Sequence, residues 1–109
     1  MERGSVWTVA GGSACTGKPR PVVVVQDDVF ADLRSITVCP LTSELVDADT
    51  VRPRIDPSAT NGLQSTSQVM IDKIVTVSRD RLRKRIGSIA GPDMTRVNRA
   101  LVAFLGIGS

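Results

Sequence analysis

The chain has 109 residues, of which 41% are hydrophobic, 23% charged and 3% aromatic, and its formal net charge is +3. This length and this balance predict one globular domain with a modest core, and they exclude a disordered chain. Because a stacking platform for single-stranded nucleic acid needs several exposed rings, so few aromatic residues disfavour recognition by stacking.

The basic residues are unevenly distributed. Residues 1–54 hold 6 basic and 7 acidic groups, whereas residues 55–109 hold 8 basic and 4 acidic groups. The excess is concentrated in residues 79–85, where Asp80 is the only acid. Such a run is usually a solvated face and otherwise contacts a polyanion, and both interpretations are open at this point.

The cysteine count and the apolar runs predict a cytoplasmic protein. Cys15 and Cys39 form no CxxC pair, and the chain has no histidine that could complete a zinc site. The N-terminus lacks the apolar region of a signal peptide, and the longest apolar run, residues 100–105, is too short to span a bilayer. We therefore expect reduced cysteines, no metal and no contact with a membrane.

The first half of the chain contains three predicted strands. Residues 5–9 alternate polar and apolar, and a loop of small residues, 10–17, follows them. Residues 22–25 are four valines, a pattern typical of a strand buried on both faces. Either aspartate at 27–28 can cap a helical turn over residues 29–33. The third strand, residues 35–39, is expected to stop at Pro40, which would place Thr42 and Ser43 at its exit.

Arg20 stands at the start of the valine strand, between Pro19 and Pro21. The ring of Pro21 restricts the backbone of Arg20 to extended conformations, so the position from which the guanidinium projects is well defined. The alternative is that Arg20 is only a solvated strand end.

The second half begins with a weaker strand at residues 50–55, which is interrupted by proline and expected at a sheet edge, and a loop at residues 56–65. Residues 66–77 form the longest strand-like run, with a bend expected near Asp72 and Lys73. Ser78 is expected to cap a short basic helix over residues 79–84, and residues 85–89 form the last strand. A terminal helix then presents Met94, Val97, Leu101, Phe104 and Leu105 on one face and ends at Gly106.

Several short strands without βαβ alternation predict a mostly antiparallel, strongly curved sheet, in a small barrel of SH3-like kind. The chemistry available to this fold is limited. The absence of histidine removes the commonest acid and base and the usual nucleophile pairs. No glycine loop matches a phosphate-binding motif, and the acids do not cluster as Mg²⁺ ligands would. Arginines, hydroxyls and scattered carboxylates remain, which favours an anionic substrate handled by charge stabilisation.

Four segments follow one another in an order and at separations that resemble the MazF/PemK family of toxin endoribonucleases. They are RGSVW at 3–7, GKPRPVVVVQDD at 17–28, VCPLTS at 38–43 and QVMIDKIVTVSRDRL at 68–82, with Ile86 and Gly87 after them. The resemblance covers nearly the whole chain. It implies a single CcdB/PemK-type barrel domain over residues 1–109, with short helices and a C-terminal helix.

The resemblance also implies an activity and its residues. The family cuts single-stranded RNA at short sequences without the ribosome or a metal cofactor, forms homodimers and is inhibited by a cognate MazE-like antitoxin. Its catalytic arginine, in a GxRP-like motif, falls on Arg20, and its catalytic threonine falls on Thr42. RNA contacts are expected at Lys18, Ser43, Asp72 and Lys73, although the family often has glutamine where Lys73 stands, so the base preference is open.

Cleavage through the RNA's own 2′-hydroxyl needs no protein nucleophile, which agrees with the missing histidine and would discriminate against DNA. A guanidinium stays protonated and makes a poor base, so we expect Arg20 to stabilise charge rather than to move a proton. Two alternatives are a gyrase poison of the same fold, like CcdB, and a non-catalytic SH3-like module. CcdB-like chains carry a tryptophan near the C-terminus, which this chain lacks, and a peptide-binding groove would need aromatic residues.

Overall fold

A computed structural model describes residues 1–9 and 20–108. Its first three strands are β1 (Ser5–Val9), β2 (Arg20–Val24) and β3 (Ser35–Thr42). Between β2 and β3 lies a 3-10 turn over Asp28–Phe30, whose cap is Asp27: Oδ1 of Asp27 accepts a hydrogen bond from the amide of Val29 at 2.9 Å. The predicted cap is therefore confirmed. The predicted loop at residues 10–17 lies outside the described residues.

The second half continues with β4 (Arg54–Ile55) and β5 (Ser67–Val69), then a 3-10 turn over Ile71–Lys73 and β6 (Val75–Ser78). A further 3-10 turn, Arg79–Arg81, leads into β7 (Leu82–Ser88), and the helix α1 spans Gly91–Leu105. No helix in the described ranges is long and apolar enough to cross a membrane.

The sheet is antiparallel throughout, in the strand order β4-β5-β3-β2-β1-β7, with β6 paired to the far end of β3. Strand β3 is central because it pairs with three other strands. The curled sheet and the single C-terminal helix confirm the predicted fold class. Strands β4 and β7 lie at the two ends of this order. The edge position predicted for the proline-interrupted segment at residues 50–55, which includes β4, is therefore confirmed.

Two apolar clusters cover the two faces of the sheet. Val23 and Leu41 belong to the larger one, which includes Val97 and Leu101 of α1. Val22 and Val24 belong to the smaller one, together with Leu82. Successive residues of a strand point to opposite faces, so consecutive valines can supply both clusters. The prediction of a strand buried on both faces is confirmed, and the backbone of β2 is consequently held from both sides.

Helix α1 packs by a narrower face than its sequence pattern predicts. Val97, Ala100 and Leu101 are buried, whereas Phe104 and Leu105 remain about half exposed. The helix ends where predicted: Gly106 takes a left-handed conformation with φ of 71°, which costs glycine little.

The prediction that Pro40 stops the third strand is wrong, because β3 continues to Thr42. The carbonyl oxygen of Pro40 accepts a hydrogen bond from the amide of Met70 at 2.8 Å. In an antiparallel strand the nitrogen of a residue points to the same side as its carbonyl, so the nitrogen of Pro40 also faces Met70. At this point the partner of β3 changes from β5 to β6. The missing N–H therefore interrupts no strand ladder.

Two predictions for residues 66–85 are corrected. The long run is two strands, β5 and β6, separated by a full 3-10 turn at the expected bend. The predicted helix over residues 79–84 is only a 3-10 turn over Arg79–Arg81: Ser78 precedes it without a side-chain cap, and β7 begins at Leu82. Pairing of Leu82 with Val9 buries one apolar side chain in the smaller cluster, and this outweighs the weak helix preference of the basic residues. Arg83, Lys84 and Arg85 therefore lie exposed on an outer strand.

Candidate active site

The pairing of β2 with β3 brings two of the predicted site residues together. Val24 pairs with Val38, Val23 with Cys39 and Val22 with Pro40. The observed pairs end there; Arg20 and Thr42 each stand two residues beyond Val22 and Pro40 on the same face of their strands, so extrapolation of the register would set them opposite each other. Side chains directly opposite each other on neighbouring strands have Cβ atoms about 5 Å apart. A guanidinium and a hydroxyl can therefore reach one small anion at this end of the sheet.

Arg20 is exposed, and its backbone is held by the sheet. It is the first residue of β2 and pairs with Val9 of β1. Val22 and Val24, which lie on the same face, are buried in the smaller cluster. The strand behind Arg20 is thus anchored while the guanidinium remains in solvent. A fork of N–H donors in this position suits a phosphate group.

Thr42 is the last residue of β3 and is half-buried. Its Oγ1 accepts a hydrogen bond from the amide of Glu44 at 3.1 Å, which turns the chain away from the sheet. Since the hydroxyl is an acceptor in this bond, its proton can still be donated to a ligand. Ser43 follows in the turn and is exposed.

A residue without a predicted role, Gln68, supports this end of the sheet. It lies on β5 directly opposite Thr42 and is fully buried. Its Oε1 accepts a hydrogen bond from the amide of Val46 at 2.8 Å, and its Nε2 donates to the carbonyls of Val46 and Arg52, both at 2.9 Å. One side chain therefore binds both ends of the segment 46–52 that follows the Thr42 turn. A polar glutamine directly before the apolar residues 69–71 was the sequence signal for this role.

Gln68→Met should lower the free energy of unfolding by about 3 kcal/mol. The variant leaves backbone groups of the segment 46–52 without a hydrogen-bond partner, at about 1–3 kcal/mol for each group. The total stays near the lower end of the sum because water can reach part of that segment. Urea unfolding monitored by circular dichroism measures the change. The matched control is Gln64→Met, since Gln64 is exposed and its replacement should change the unfolding midpoint little. Equal midpoints for the two variants would contradict the role given to Gln68.

Asp72, a predicted RNA contact, is engaged within the protein. Arg52 donates from Nε to Oδ1 of Asp72 at 3.0 Å and from Nη2 to Oδ2 at 2.9 Å. These hydrogen bonds lower the pKa of the Asp72 carboxyl and raise that of the Arg52 guanidinium. Both carboxylate oxygens are therefore already acceptors in charge-assisted bonds. Arg52 was missed because it lies 20 residues away in sequence and forms no motif with Asp72.

Lys73 is exposed at the end of the same 3-10 turn. Among residues 1–9 and 20–108, no hydrogen bond or ion pair joins Asp72 or Lys73 directly to Arg20 or Thr42. The connection is indirect, since Gln68 binds the carbonyl of Arg52 and Arg52 binds Asp72. Lys18, a predicted RNA contact, lies outside the described residues.

Cys39 lies behind the site, fully buried in the larger cluster. Burial raises the pKa of its thiol to about 12, although the charge of Arg3 opposes the shift. The thiol is consequently protonated at neutral pH and packs as a small apolar group.

Within the described ranges, no group of three or more metal-ligating side chains comes together.

Comparison with known proteins identifies relatives over nearly the whole length of the chain. A family model described as a PemK-like, MazF-like toxin of type II toxin–antitoxin systems matches residues 2–105. A probable endoribonuclease MazF from Mycolicibacterium smegmatis is 49% identical over 107 residues, which cover 98% of each chain.

Solved structures share the fold. A mycobacterial endoribonuclease, solved in complex with its cognate antitoxin, superposes with a TM-score of 0.82 at 23% identity and covers 100% of this chain and 98% of its own. MazF in a MazE–MazF complex from Deinococcus radiodurans gives a TM-score of 0.75 at 17% identity, over 99% and 97% of the two chains.

Proposed function

We propose that this chain, which belongs to the PemK-like, MazF-like toxin family and is a MazF-type endoribonuclease of a toxin–antitoxin system, cleaves single-stranded RNA at a short sequence through the substrate's 2′-hydroxyl. The observation that supports the proposal is the pairing of β2 with β3 up to Val22 and Pro40, from which Arg20 and Thr42 are each two residues away on the same face. The proposed cleavage needs neither a metal ion nor the ribosome. An RNA substrate implies that the toxin acts in the cytoplasm.

In the proposed reaction the 2′-oxygen attacks the adjacent phosphorus, and the bond from phosphorus to the 5′-oxygen breaks. The proton of the 2′-hydroxyl passes to solvent and the departing 5′-oxygen takes a proton from solvent, so the products are a 2′,3′-cyclic phosphate and a free 5′-hydroxyl. Negative charge accumulates on the phosphoryl oxygens in the transition state, and Arg20 would stabilise it from a position that the strand has already fixed. Thr42 would donate a hydrogen bond from its hydroxyl group to the same phosphate. No protein nucleophile is required, in agreement with a chain that lacks histidine.

Binding of the remainder of the RNA is proposed for Lys18, Ser43, Asp72 and Lys73. Ser43 and Lys73 are exposed and can donate hydrogen bonds directly. Because both oxygens of Asp72 are bound to Arg52, we propose that Asp72 acts as part of this pair, with the remaining N–H groups of Arg52 available to the substrate. Family membership favours RNA cleavage over gyrase poisoning or a non-catalytic binding role.

We further propose that a MazE-like antitoxin is the partner, as in the antitoxin-bound structures of similar fold. A homodimer, the other proposed assembly, would bring two copies of the basic segment 79–85 together and increase the local attraction for RNA.

The test is to incubate total RNA with the purified protein in the presence of EDTA and to map the new ends by sequencing. We expect cuts at one short sequence, with 5′-hydroxyl ends on the downstream fragments. An absence of cuts would contradict the proposal, as would cuts that appear only when a divalent metal is added or that leave 5′-phosphates.

A further inference from the structure

Trp7 of β1 lies on the same face of the sheet as Arg20. Trp7 pairs with Val22 and Val9 pairs with Arg20, and residues two apart along a strand share a face. Trp7 is thus a diagonal neighbour of Arg20, and the side chains of such neighbours start about 7 Å apart. A nucleotide whose phosphate is bound by the guanidinium can therefore bring its base to the indole.

Side chains on this face become more exposed towards the end of the sheet that carries Arg20. Val24 is fully buried and Val22 is 5% exposed, whereas Arg20 is exposed. Trp7 packs against the smaller apolar cluster but is only half-buried, so part of its ring meets solvent. Pro40, opposite Val22 on β3, is also half-buried. A partly exposed apolar surface therefore adjoins the proposed catalytic pair.

The orientation of the indole is fixed by hydrogen bonds. Nε1 of Trp7 donates to Oγ of Ser5 at 2.8 Å, and Oγ of Ser5 donates to the carbonyl of Glu2. Ser5 is buried at the end of β1 that is further from Arg20, so this bond holds the ring apart from the guanidinium. Because the N–H group of the indole is already paired, the ring offers a ligand only its apolar surface.

We infer that Trp7 stacks with one of the two RNA bases that flank the scissile phosphate, an inference that rests on the proposed function. Bases of single-stranded RNA are free to stack on aromatic side chains, and each kind of base has a face for such a contact. A ring held in one orientation loses little conformational entropy when it binds. The contact therefore positions the substrate beside Arg20 and distinguishes little between the four bases.

The composition of the chain limits this contact to a single base. The chain has one tryptophan, two phenylalanines and no tyrosine, so it has no platform of several rings. Phe30 lies in the 3-10 turn beyond the opposite end of β2, and Phe104 lies in α1. An apolar side chain of a protein partner is the competing occupant of the surface around Trp7. The shared face with Arg20 favours the RNA.

The test uses the fluorescence of Trp7, which is the only tryptophan of the chain. A complete RNA carries one deoxyribose at the mapped cleavage site, and gels show that it stays intact. Two further RNAs lack the base on the 5′ side or on the 3′ side of the scissile phosphate. Fluorescence anisotropy of labelled RNA measures binding to the wild type, to Trp7→Leu and to Trp7→Phe. The matched control is Phe30→Leu, which removes an exposed ring.

We expect the complete RNA to quench the fluorescence of the wild type until binding saturates, and one of the two abasic RNAs to quench it much less. Trp7→Leu should bind the complete RNA roughly tenfold more weakly, because the stacking of one base is lost. Trp7→Phe keeps a ring and should stay within about threefold of the wild type, and Phe30→Leu should bind as the wild type does. The abasic RNA that fails to quench should bind equally to the wild type and to Trp7→Leu, because the same contact is lost only once.

A loss by the same factor for all three RNAs in Trp7→Leu would overturn the inference, because it would assign the ring a purely structural role. Equal quenching of the wild type by the complete RNA and both abasic RNAs would also overturn it. This second measurement needs no variant, so it decides the question even if Trp7→Leu does not fold. Failure of the proposed function has a different signature, since the wild type and Phe30→Leu then cut no RNA, whereas failure of this inference leaves their cleavage intact.

Discussion

Replacement of Arg20 with alanine is expected to lower the rate of RNA cleavage by a factor on the order of 10² or more, because in the proposed mechanism Arg20 is the donor that stabilises the charge developing on the phosphate. The fold should be retained, since Arg20 is exposed at the end of β2 and the buried valines anchor that strand. Single-turnover cleavage of a labelled RNA at saturating protein measures the chemical step separately from binding.

The matched control for this experiment is Arg34→Ala, which removes the same charge from an exposed position just before β3, at the opposite end of that strand from Thr42. It should leave the single-turnover rate within about twofold of the wild type, because a distant exposed charge is screened by salt. Arg20→Lys retains the charge but not the planar fork, and it should recover only part of the rate. A correctly folded Arg20→Ala protein that cleaves at the wild-type rate would show that the site has been assigned to the wrong residues.

A substrate that carries a single deoxyribose on the 5′ side of the scissile phosphate should not be cut at that position. The proposed nucleophile is the 2′-oxygen of that nucleotide, and a deoxyribose lacks it. Gel analysis of the labelled oligonucleotide, at protein concentrations that cleave the all-ribose substrate completely, measures the loss.

Two controls distinguish the loss of the nucleophile from a loss of RNA binding. A deoxyribose placed one nucleotide further along tests whether a missing hydroxyl merely weakens binding, and we expect that substrate to be cut. Binding of the uncut substrate, measured by anisotropy, should stay close to that of the all-ribose RNA because all the phosphates remain. Cleavage at the normal rate next to the deoxyribose would rule out attack by the 2′-oxygen and require another nucleophile.

Several features of the fold could be predicted because they depend on short stretches of sequence. Alternation in residues 5–9 and the valine run at residues 22–25 predicted two strands, and the structure has both. The helical spacing of apolar residues after Gly91 predicted α1, and Gly106 ends it. Side chains return to the same face every two residues in a strand and every 3.6 residues in a helix, so the spacing of apolar residues in the sequence indicates the element directly.

Other features depended on contacts between distant segments and could not be predicted. Pro40 was expected to end a strand, but its missing N–H faces the point where β3 changes partners. The basic residues at 83–85 were expected partly in a helix, but β1 offered an antiparallel partner. Local preference amounts to a few tenths of a kcal/mol per residue, whereas burying one leucine stabilises by about 1.5–3 kcal/mol, so tertiary pairing prevailed.

For the candidate site, the sequence by itself determined which groups are present: an arginine mounted between two prolines, a threonine after a buried strand and no histidine. The tertiary structure alone decided which of them meet. The β2–β3 pairing brings the ends of the two strands that carry Arg20 and Thr42 to the same end of the sheet, Gln68 secures the segment that follows, and Arg52 binds Asp72 from 20 residues away. A linear sequence specifies the chemistry of each side chain, but distances between strands arise only when the sheet closes and buries its two apolar faces.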